Sequence, residues 1–344
     1  MKIKILLSAV VLMILSACGS GGVSVYVSGQ NGSTAVYWQD GTQHNLDNSG
    51  IAASASGIVV DSGNIYVSGT CSDVHNEKAC YWKNGTVTIL KSKDADDYRE
   101  TWGRGISVAN NNIYVAGYVN YNGTGVYGRA AYWIDNTASC TEISDATAPA
   151  DAKSIFVSNG HIYVGGMENH NGYTGYEEAV YWDNDSRVLV ASNGYIQAIS
   201  ASGSQIYTAG YETDVDHNIA IYYIGTQKQT LDLPADSTSS SASGIYVSGT
   251  DVYVSGQYYA SNGWVPCYWK NGVRVDLAIS STTDGDYPYT SGIFVKNGDV
   301  YVSGGYMSVT SRKKIACYWK NGVKTDLTFV VEKENATSTG IFVE

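Results

Sequence analysis

The chain has few charged residues and no stretch with the periodicity of an amphipathic helix. Charged residues make up 15 % of its 344 residues, and acids outnumber bases, for a formal net charge of −11. A basic surface for nucleic acid is therefore not expected. No apolar pattern recurs every three to four residues, and glycine, a poor helix former, occurs 38 times. These features exclude a helical fold.

Motifs of several enzyme classes are also missing. There is no Gly-x-Ser-x-Gly, HExxH or phosphate-binding loop. No Cys-x-x-Cys pair and no Cys/His spacing typical of a metal site occurs. We therefore expect neither a cofactor nor a metal.

Two short phrases recur along the chain, and successive copies of the first lie 40 to 49 residues apart. Tyr-Val-x-Gly, or a near copy, begins at Tyr26, Tyr66, Tyr114, Tyr163, Tyr207, Tyr253 and Tyr301. Tyr-Trp follows at Tyr37, Tyr81, Tyr132, Tyr181, Tyr268 and Tyr318, with Tyr222-Tyr223 in the remaining copy. A repeat of this length indicates one supersecondary unit per copy, stacked on its neighbours.

The clearest copy, residues 244–277, contains four short runs of β-branched and aromatic residues separated by turns. They predict strands A to D at 244–247, 252–256, 266–269 and 273–277. Four strands per repeat of this size are typical of a β-propeller blade. Asn-Gly favours tight A–B and C–D hairpins. The longer B–C and D–A connections should then share the opposite face. We call these faces the tight-turn face and the long-loop face.

The two ends of the chain supply parts of one blade. The first strand, at residues 23–29, is a strand B, and residues 340–343 repeat strand A. Pairing of these segments would close the ring and leave no open edge. The sequence predicts an all-β, seven-bladed β-propeller with four antiparallel strands per blade, in one domain over residues 23–344.

The N-terminus has the pattern of an export signal. Residues 1–17 combine two lysines with an apolar run and small residues, too short for a transmembrane span. Leu15-Ser16-Ala17-Cys18 resembles the bacterial lipobox, which implies a lipidated, palmitate-bearing Cys18 in the cell envelope. Because Gly19 replaces Asp, the outer membrane is expected in a two-membrane bacterium. The linker, residues 18–22, spans at most about 14 Å beyond Cys18, so the tight-turn face should lie towards the membrane.

The cysteines allow two interpretations. Cys80, Cys267 and Cys317 each precede Tyr-Trp, where other copies have Val, Ala or Ile, so they fit as small core residues. Cys71 and Cys80 could instead face each other across one hairpin and form a disulfide in an oxidising compartment. Cys140 has no evident partner.

Three groups of residues are candidate sites. Aromatic residues in or beside long connections suit a glycan or protein ligand, or else brace the loops: Trp102, Tyr118, Tyr121, Tyr173, Tyr176, Tyr211, Tyr258, Trp264, Tyr287, Tyr289 and Tyr306. Polar residues preceding strand A should ring the channel mouth: Ser56, Arg104, Lys153, Gln197, Ser243, Ser291 and Thr339. Of these, Arg104, Lys153 and Gln197 form a basic corner for a carboxylate or phosphate, unless acids such as Asp151 neutralise it.

The third group consists of loop acids and histidines in two adjacent blades. These weak catalytic candidates are Glu168, His170, Asp214, Asp216 and His217. Adjacent loops could bring them together for acid/base chemistry. The alternative is that they are solvated loop residues.

The repeat resembles the extracellular HAF-type repeats of bacteria. Those read Gly-Ile, Gly-x-Val-Val-Gly, His-Ala-Phe-x-Trp, a Gly turn and Asp-Leu, and the copy at 292–327 follows that order. The histidine is absent, and tyrosine replaces phenylalanine. The resemblance implies a propeller outside the cytoplasm and no particular activity.

Together these features favour a membrane-anchored lipoprotein whose propeller binds a glycan or a protein through its long-loop face without catalysis. Two alternatives are a glycan hydrolase or lyase that uses the loop acids and histidines, and a structural subunit of an envelope complex. The sequence does not predict an oligomeric state.

Overall fold

The protein is a seven-bladed β-propeller, as predicted. The computed structural model describes residues 22–47, 52–72, 76–92, 100–121, 126–135, 137, 139–145, 147–170, 177–215, 217–261, 263–279, 287–327 and 334–344. Within these residues, 28 strands form seven antiparallel sheets of four. The predicted signal segment and Cys18 lie outside the described residues.

Each blade runs from an innermost strand A to an outermost strand D. Blade 1 consists of β28 (Ala336–Val343), β1 (Val25–Asn31), β2 (Thr34–Gln39) and β3 (Thr42–Asn45). Blade 2 consists of β4 (Ala53–Asp61), β5 (Asn64–Ser72), β6 (Glu77–Lys83) and β7 (Thr86–Ile89). Blade 3 consists of β8 (Glu100–Ala109), β9 (Asn112–Tyr121), β10 (Val126–Ile134) and β11 (Thr141–Glu142). Blade 4 consists of β12 (Ala150–Ser158), β13 (His161–Glu168), β14 (Glu178–Asp183) and β15 (Ser186–Ala191). Blade 5 consists of β16 (Gly194–Ser202), β17 (Gln205–Asp214), β18 (His217–Ile224) and β19 (Gln227–Thr230). Blade 6 consists of β20 (Ser239–Ser248), β21 (Asp251–Ala260), β22 (Gly263–Lys270) and β23 (Val273–Asp276). Blade 7 consists of β24 (Tyr289–Lys296), β25 (Asp299–Met307), β26 (Lys314–Lys320) and β27 (Val323–Asp326).

The ring closes through blade 1. Strand β28 pairs antiparallel with β1, with Val343 opposite Val25 and Gly340 opposite Ser28. Ser24 and Glu344 extend the ladder by two backbone hydrogen bonds of 3.0 Å. The last strand of the chain therefore completes the first blade and covers the edge of β1.

The Tyr-Trp phrase supplies the core and ties successive blades together. Its six tryptophans are at most 2 % exposed. Trp269 Nε1 donates to the Asp232 carbonyl at 2.7 Å, and Trp319 Nε1 to the Ala278 carbonyl at 3.0 Å. Each acceptor follows strand D of the preceding blade. These two buried indoles thus satisfy their N–H groups while joining neighbouring blades.

The strands are longer than the sequence indicated. In blade 6, strand B continues to Ala260 and strand C begins at Gly263, so only two residues connect them. Tyr259 pairs with Trp264 across this extension. The cross-strand contact of two aromatic residues favours continued pairing over a loop. Several predicted loop residues consequently lie on strands.

Candidate functional site

A β-bulge interrupts every innermost strand at the same level. In blade 6, Ala242 pairs with Gly256 and Gly244 with Ser255, which leaves Ser243 as the extra residue. The seven bulge residues are those predicted to precede strand A: Ser56, Arg104, Lys153, Gln197, Ser243, Ser291 and Thr339. They lie inside the strands rather than before them, because pairing resumes beyond the bulge.

The glycine of Tyr-Val-x-Gly makes this bulge possible. A Cβ at Gly210 would overlap the Tyr195 carbonyl, and one at Gly256 would overlap the Ser241 carbonyl. In each case the carbonyl belongs to the residue two positions before the bulge. The repeated glycine therefore permits a close backbone approach on which the whole ring of bulge residues depends.

The bulge residues surround a cavity on the propeller axis. All seven line a space of about 500 Å³ together with the small residues that follow them, such as Gly57 and Gly244. At Gly244 the packing is close, because an added Cβ would lie 3.1 Å from the Gly292 Cα of the next blade. Each bulge is nearer the start of strand A than its end. The ring consequently lies in the half of the channel towards the long-loop face.

Four bulge residues, in blades 6, 7, 1 and 2, form what we call the serine arc: Ser243, Ser291, Thr339 and Ser56. Their hydroxyls bond within the channel wall. Ser243 Oγ lies 3.0 Å from Ser255 Oγ on its own strand B and 2.8 Å from Thr290 Oγ1 of the next blade. The equivalent bonds join Ser291 to Ser303 and Ser338, Thr339 to Ser28, and Ser56 to the Gly103 carbonyl. The serine arc is a hydrogen-bonded seam between blades.

The other three bulge residues, Arg104, Lys153 and Gln197 of blades 3 to 5, form the basic arc. In these three blades, strand B has no serine hydroxyl at the position that bonds to the bulge residue in the serine arc. Where Tyr-Val-x-Gly has serine in the serine arc (Ser28, Ser68, Ser255 and Ser303), these blades have Ala116, Gly165 and Ala209. A long polar side chain and the loss of its anchoring hydroxyl thus occur together.

Asp151 lies behind the basic arc. Its Oδ2 is 3.9 Å from Arg104 Nη2 and accepts a hydrogen bond of 2.6 Å from the Tyr195 hydroxyl. Burial, and then the Asp151 charge, hold the pKa of Tyr195 well above its usual value. Tyr195 therefore stays a donor and fixes Asp151. At 3.9 Å the Arg104 contact is an ion pair without hydrogen-bond geometry. The arginine is thus available to a further acceptor.

Lys153 has no salt bridge or hydrogen bond within the described residues. Burial lowers its pKa, the charge of Arg104 lowers it further, and Asp151 opposes both effects. Of the described residues that line the cavity, Arg104 and Lys153 alone carry charge. Glu177, whose pKa is raised by burial and by the charge of Asp151, is not among the residues that line the cavity. The cavity wall is therefore basic on an acidic protein.

Two aromatic pairs flank the basic arc. Trp102 stacks on Tyr118 with ring centroids 4.4 Å apart, and the Arg104 guanidinium lies 5.5 Å from the Tyr118 centroid. On the other side, Tyr195 and Tyr211 stack at 6.0 Å. These contacts hold the arginine and the tyrosine that positions Asp151.

Two other predicted ligand-binding tyrosines, Tyr258 and Tyr306, are buried braces, whereas the half-buried Tyr289 lines the cavity. The Tyr258 hydroxyl donates to Asp276 at 3.2 Å, and the Tyr306 hydroxyl to Asp326 at 3.0 Å. Both side chains are at most 5 % exposed. The Tyr289 hydroxyl accepts the Ser338 N–H at 3.1 Å, and burial raises its pKa to about 12.

Two further aromatic candidates, Tyr287 and Trp264, lie towards the long-loop face. Tyr287 is 67 % exposed, and Trp264 packs edge-on against Tyr259 at 5.4 Å. Tyr173 and Tyr176 lie outside the described residues, as does the side chain of Tyr121.

The acid and histidine candidates do not form one group. Glu168 is fully buried, where it accepts the Asp145 N–H at 2.7 Å and bonds to Arg187. His170 Nδ1 lies 2.9 Å from Glu178, which also bonds to Arg187. These residues brace the edge of blade 4.

The blade 5 candidates lie elsewhere. Asp214 and His217 pair across the β17–β18 turn, and both are exposed. Asp216 lies outside the described residues. Within the described chain, no group of three or more His, Cys, Asp or Glu side chains is placed to hold a metal ion.

The structure joins Cys71 and Cys80 by a disulfide, with Cα atoms 6.1 Å apart. It fixes the B–C hairpin of blade 2. Cys140, Cys267 and Cys317 are buried. Burial raises the pKa of the Cys267 thiol, as expected of a core residue. In the described part of the chain there is no helix with the length and apolar character of a membrane span.

Comparison with known proteins supports the fold. No known sequence family and no curated protein matches the chain. The β-propeller domain of the Trilobed protease from Pyrococcus furiosus, which has an open velcro topology, matches 90 % of this chain over 95 % of its own. Its identity is 12 % and its TM-score 0.54. The acylaminoacyl peptidase of Pyrococcus horikoshii matches 89 % of this chain at 11 % identity and a TM-score of 0.54, over 51 % of its own length. At such identities the similarity concerns the fold alone.

Proposed function

We propose that this protein is an extracytoplasmic binding propeller, anchored to a membrane through Cys18, which binds an anionic ligand at the basic arc without catalysis. The observation that carries the proposal is that two positions differ together in blades 3 to 5: the bulge residue is long and polar, and the strand-B serine is replaced by Ala or Gly. Hydrogen-bonded hydroxyls like those of the serine arc would be enough to hold these blades together. Instead, Arg104, Lys153 and Gln197 extend into the cavity without the hydroxyls that would hold them.

Position on the propeller supports the same proposal. The basic arc opens towards the long-loop face, while the described chain begins at Gly22 beside Glu344, on the tight-turn face. A lipid at Cys18 would place that face against the membrane and leave the channel mouth open to ligand. Incorporation of labelled palmitate, abolished by Cys18→Ala, tests the anchor.

The binding proposal is tested by titration calorimetry on the full-length protein in detergent. The probes are acetate, inorganic phosphate, glucuronate and glucose 6-phosphate. Lys153→Met should weaken binding of the tightest probe about tenfold, because a charge-assisted contact is lost. Lys314→Met is the matched control, since it removes an exposed positive charge near the long-loop face but outside the cavity. Absence of binding by every probe, or equal effects of the two variants, would contradict the proposal.

A protein partner is the second candidate. Exposed apolar side chains gather at the long-loop ends of blades 5 to 7: Val215, Ile219, Tyr259, Tyr287 and Val309. Such groups are typical of protein-binding surfaces. A photo-crosslinking residue at Val215 should capture a partner in cells, whereas one at Val323 on the tight-turn face should not.

A further inference from the structure

The cavity also indicates the chemical class of the ligand. Resting on the proposed function above, we infer that the ligand is a carboxylate-bearing sugar whose carboxylate binds Arg104 and Lys153 and whose hydroxyls face Gln197 and the neutral remainder of the ring.

The size of the cavity favours a small molecule. Its volume of about 500 Å³ falls within the range of sites for small ligands. A sugar unit or two can enter it, whereas a folded partner cannot. Neighbouring innermost strands pack backbone to backbone at Gly105 and Ser154 in the cavity wall.

The charge of the cavity favours a single negative charge. Arg104 and Lys153 supply two positive charges, and Asp151 withdraws one of them through its ion pair with Arg104. Glu177, which interacts with Asp151 but does not line the cavity, adds no positive charge, so the surplus is at most one positive charge. A carboxylate matches that surplus, while a phosphate monoester carries nearly two negative charges at neutral pH. The guanidinium can also donate two parallel hydrogen bonds to the oxygens of one carboxylate.

The rest of the ring favours hydroxyls. Gln197 offers an amide donor and an amide acceptor, and it has no hydrogen bond within the described residues. The serine arc adds hydroxyl groups and no charge. The hydroxyls of a sugar can each donate and accept a hydrogen bond, as these neutral polar groups require. The alkyl chain of a fatty acid does not.

A carboxylate would also improve the surroundings of Lys153. Burial of Lys153 and the charge of Arg104 both disfavour its charged form, and the charge of Asp151 opposes them. A carboxylate bound between the two cations adds a second negative charge, which favours the charged form of Lys153 further.

Titration calorimetry on the full-length protein in detergent tests the inference with four probes: glucuronate, glucose, glucose 6-phosphate and octanoate. Glucuronate should bind at least tenfold more tightly than the other three. Lys153→Met should weaken glucuronate binding about tenfold. Gln197→Ala should weaken glucuronate binding while leaving the affinity for acetate, measured in parallel, unchanged. Lys314→Met should leave all affinities within twofold.

The outcomes separate this inference from the proposed function. Tighter binding of glucose 6-phosphate or octanoate, abolished by Lys153→Met, would leave the anion site standing and overturn the sugar acid. Equal binding of glucose and glucuronate would also overturn it. If no anion binds, including acetate and inorganic phosphate, both proposals are wrong.

Discussion

The serine arc and the basic arc occupy the same ring, on the same strands and at the same bulges, yet they use these positions differently. In the serine arc, Ser243 bonds to Ser255 below it and to Thr290 of the next blade. In the basic arc, Lys153 lies opposite the bare Gly165 and extends into the cavity. The comparison teaches that the bulge is a scaffold feature. The residue at the bulge decides whether a blade bonds to its neighbours there or presents a long polar side chain to the ligand.

The largest effect should come from removing the bulge, and it should be the same in both arcs. Gly210→Ala and Gly256→Ala each drive a Cβ into a carbonyl of the innermost strand. We expect each to lower the free energy of unfolding by about 3 kcal/mol. Denaturant unfolding measures this. Tolerance of the change in either arc would show that its bulge is not held by this glycine.

Two substitutions of Asp151 should separate its contribution to stability from the effect of its charge on anion affinity. Asp151→Ala leaves the buried Tyr195 hydroxyl without an acceptor, and we expect a loss of about 2 kcal/mol in the free energy of unfolding. Asp151→Asn keeps an acceptor but removes the negative charge behind Arg104. It should cost less stability and raise the affinity for anions. Calorimetry of both variants checks this, and a weaker anion affinity in Asp151→Asn would contradict the assignment.

Introducing serine-arc residues into one blade of the basic arc should raise the stability of the protein and lower its affinity for the ligand. Gln197→Ser with Ala209→Ser recreates the hydroxyl pair of blade 6 in blade 5. We expect the free energy of unfolding to rise by about 1 kcal/mol, the net value of one hydrogen bond, while the affinity for the sugar acid falls. The converse variant, Ser255→Ala, should lose about 1 kcal/mol and keep the affinity. A lower affinity for the sugar acid in Ser255→Ala would contradict the assignment of different roles to the two arcs.

The smallest expected effect is a pH dependence that belongs to Lys153. Its folded pKa lies below its unfolded value, so between the two the unfolded chain holds more protons. Its contribution therefore makes unfolding harder as the pH rises through that window. The affinity for anions should fall over the same window. Both trends should be absent in Lys153→Met and present in Lys314→Met, as thermal unfolding and calorimetry can measure.

Much of the fold could be predicted from sequence because the repeat carries the features that build a blade. Tyr-Trp predicted the core, Asn-Gly the hairpins, and the orphan strand at 340–343 the closure of the ring. The extension of β21 and β22 could not be predicted. It depends on the pairing of Tyr259 with Trp264, which no strand propensity contains.

The residues of the candidate site could be predicted from the sequence, but their geometry could not. The polar ring could be found by aligning the repeats, and Arg104, Lys153 and Gln197 stood out by charge and length. The bulge that aims them into the channel could not be found, since it depends on cross-strand register. One signal was present and unused: the variable residue of Tyr-Val-x-Gly is serine in four copies and Ala or Gly in the three copies with long ring residues. By contrast, Tyr258 and Tyr306 were expected in loops, and their burial follows from tertiary contacts with Asp276 and Asp326.

The most direct test is the affinity of the full-length protein for the tightest-binding anion of the calorimetric panel, compared between Lys153→Met and Ser255→Ala. If the basic arc binds and the serine arc holds the ring together, Lys153→Met loses at least tenfold in affinity and Ser255→Ala loses none. Equal affinities in the two variants would contradict the assignment of the basic arc as the binding site.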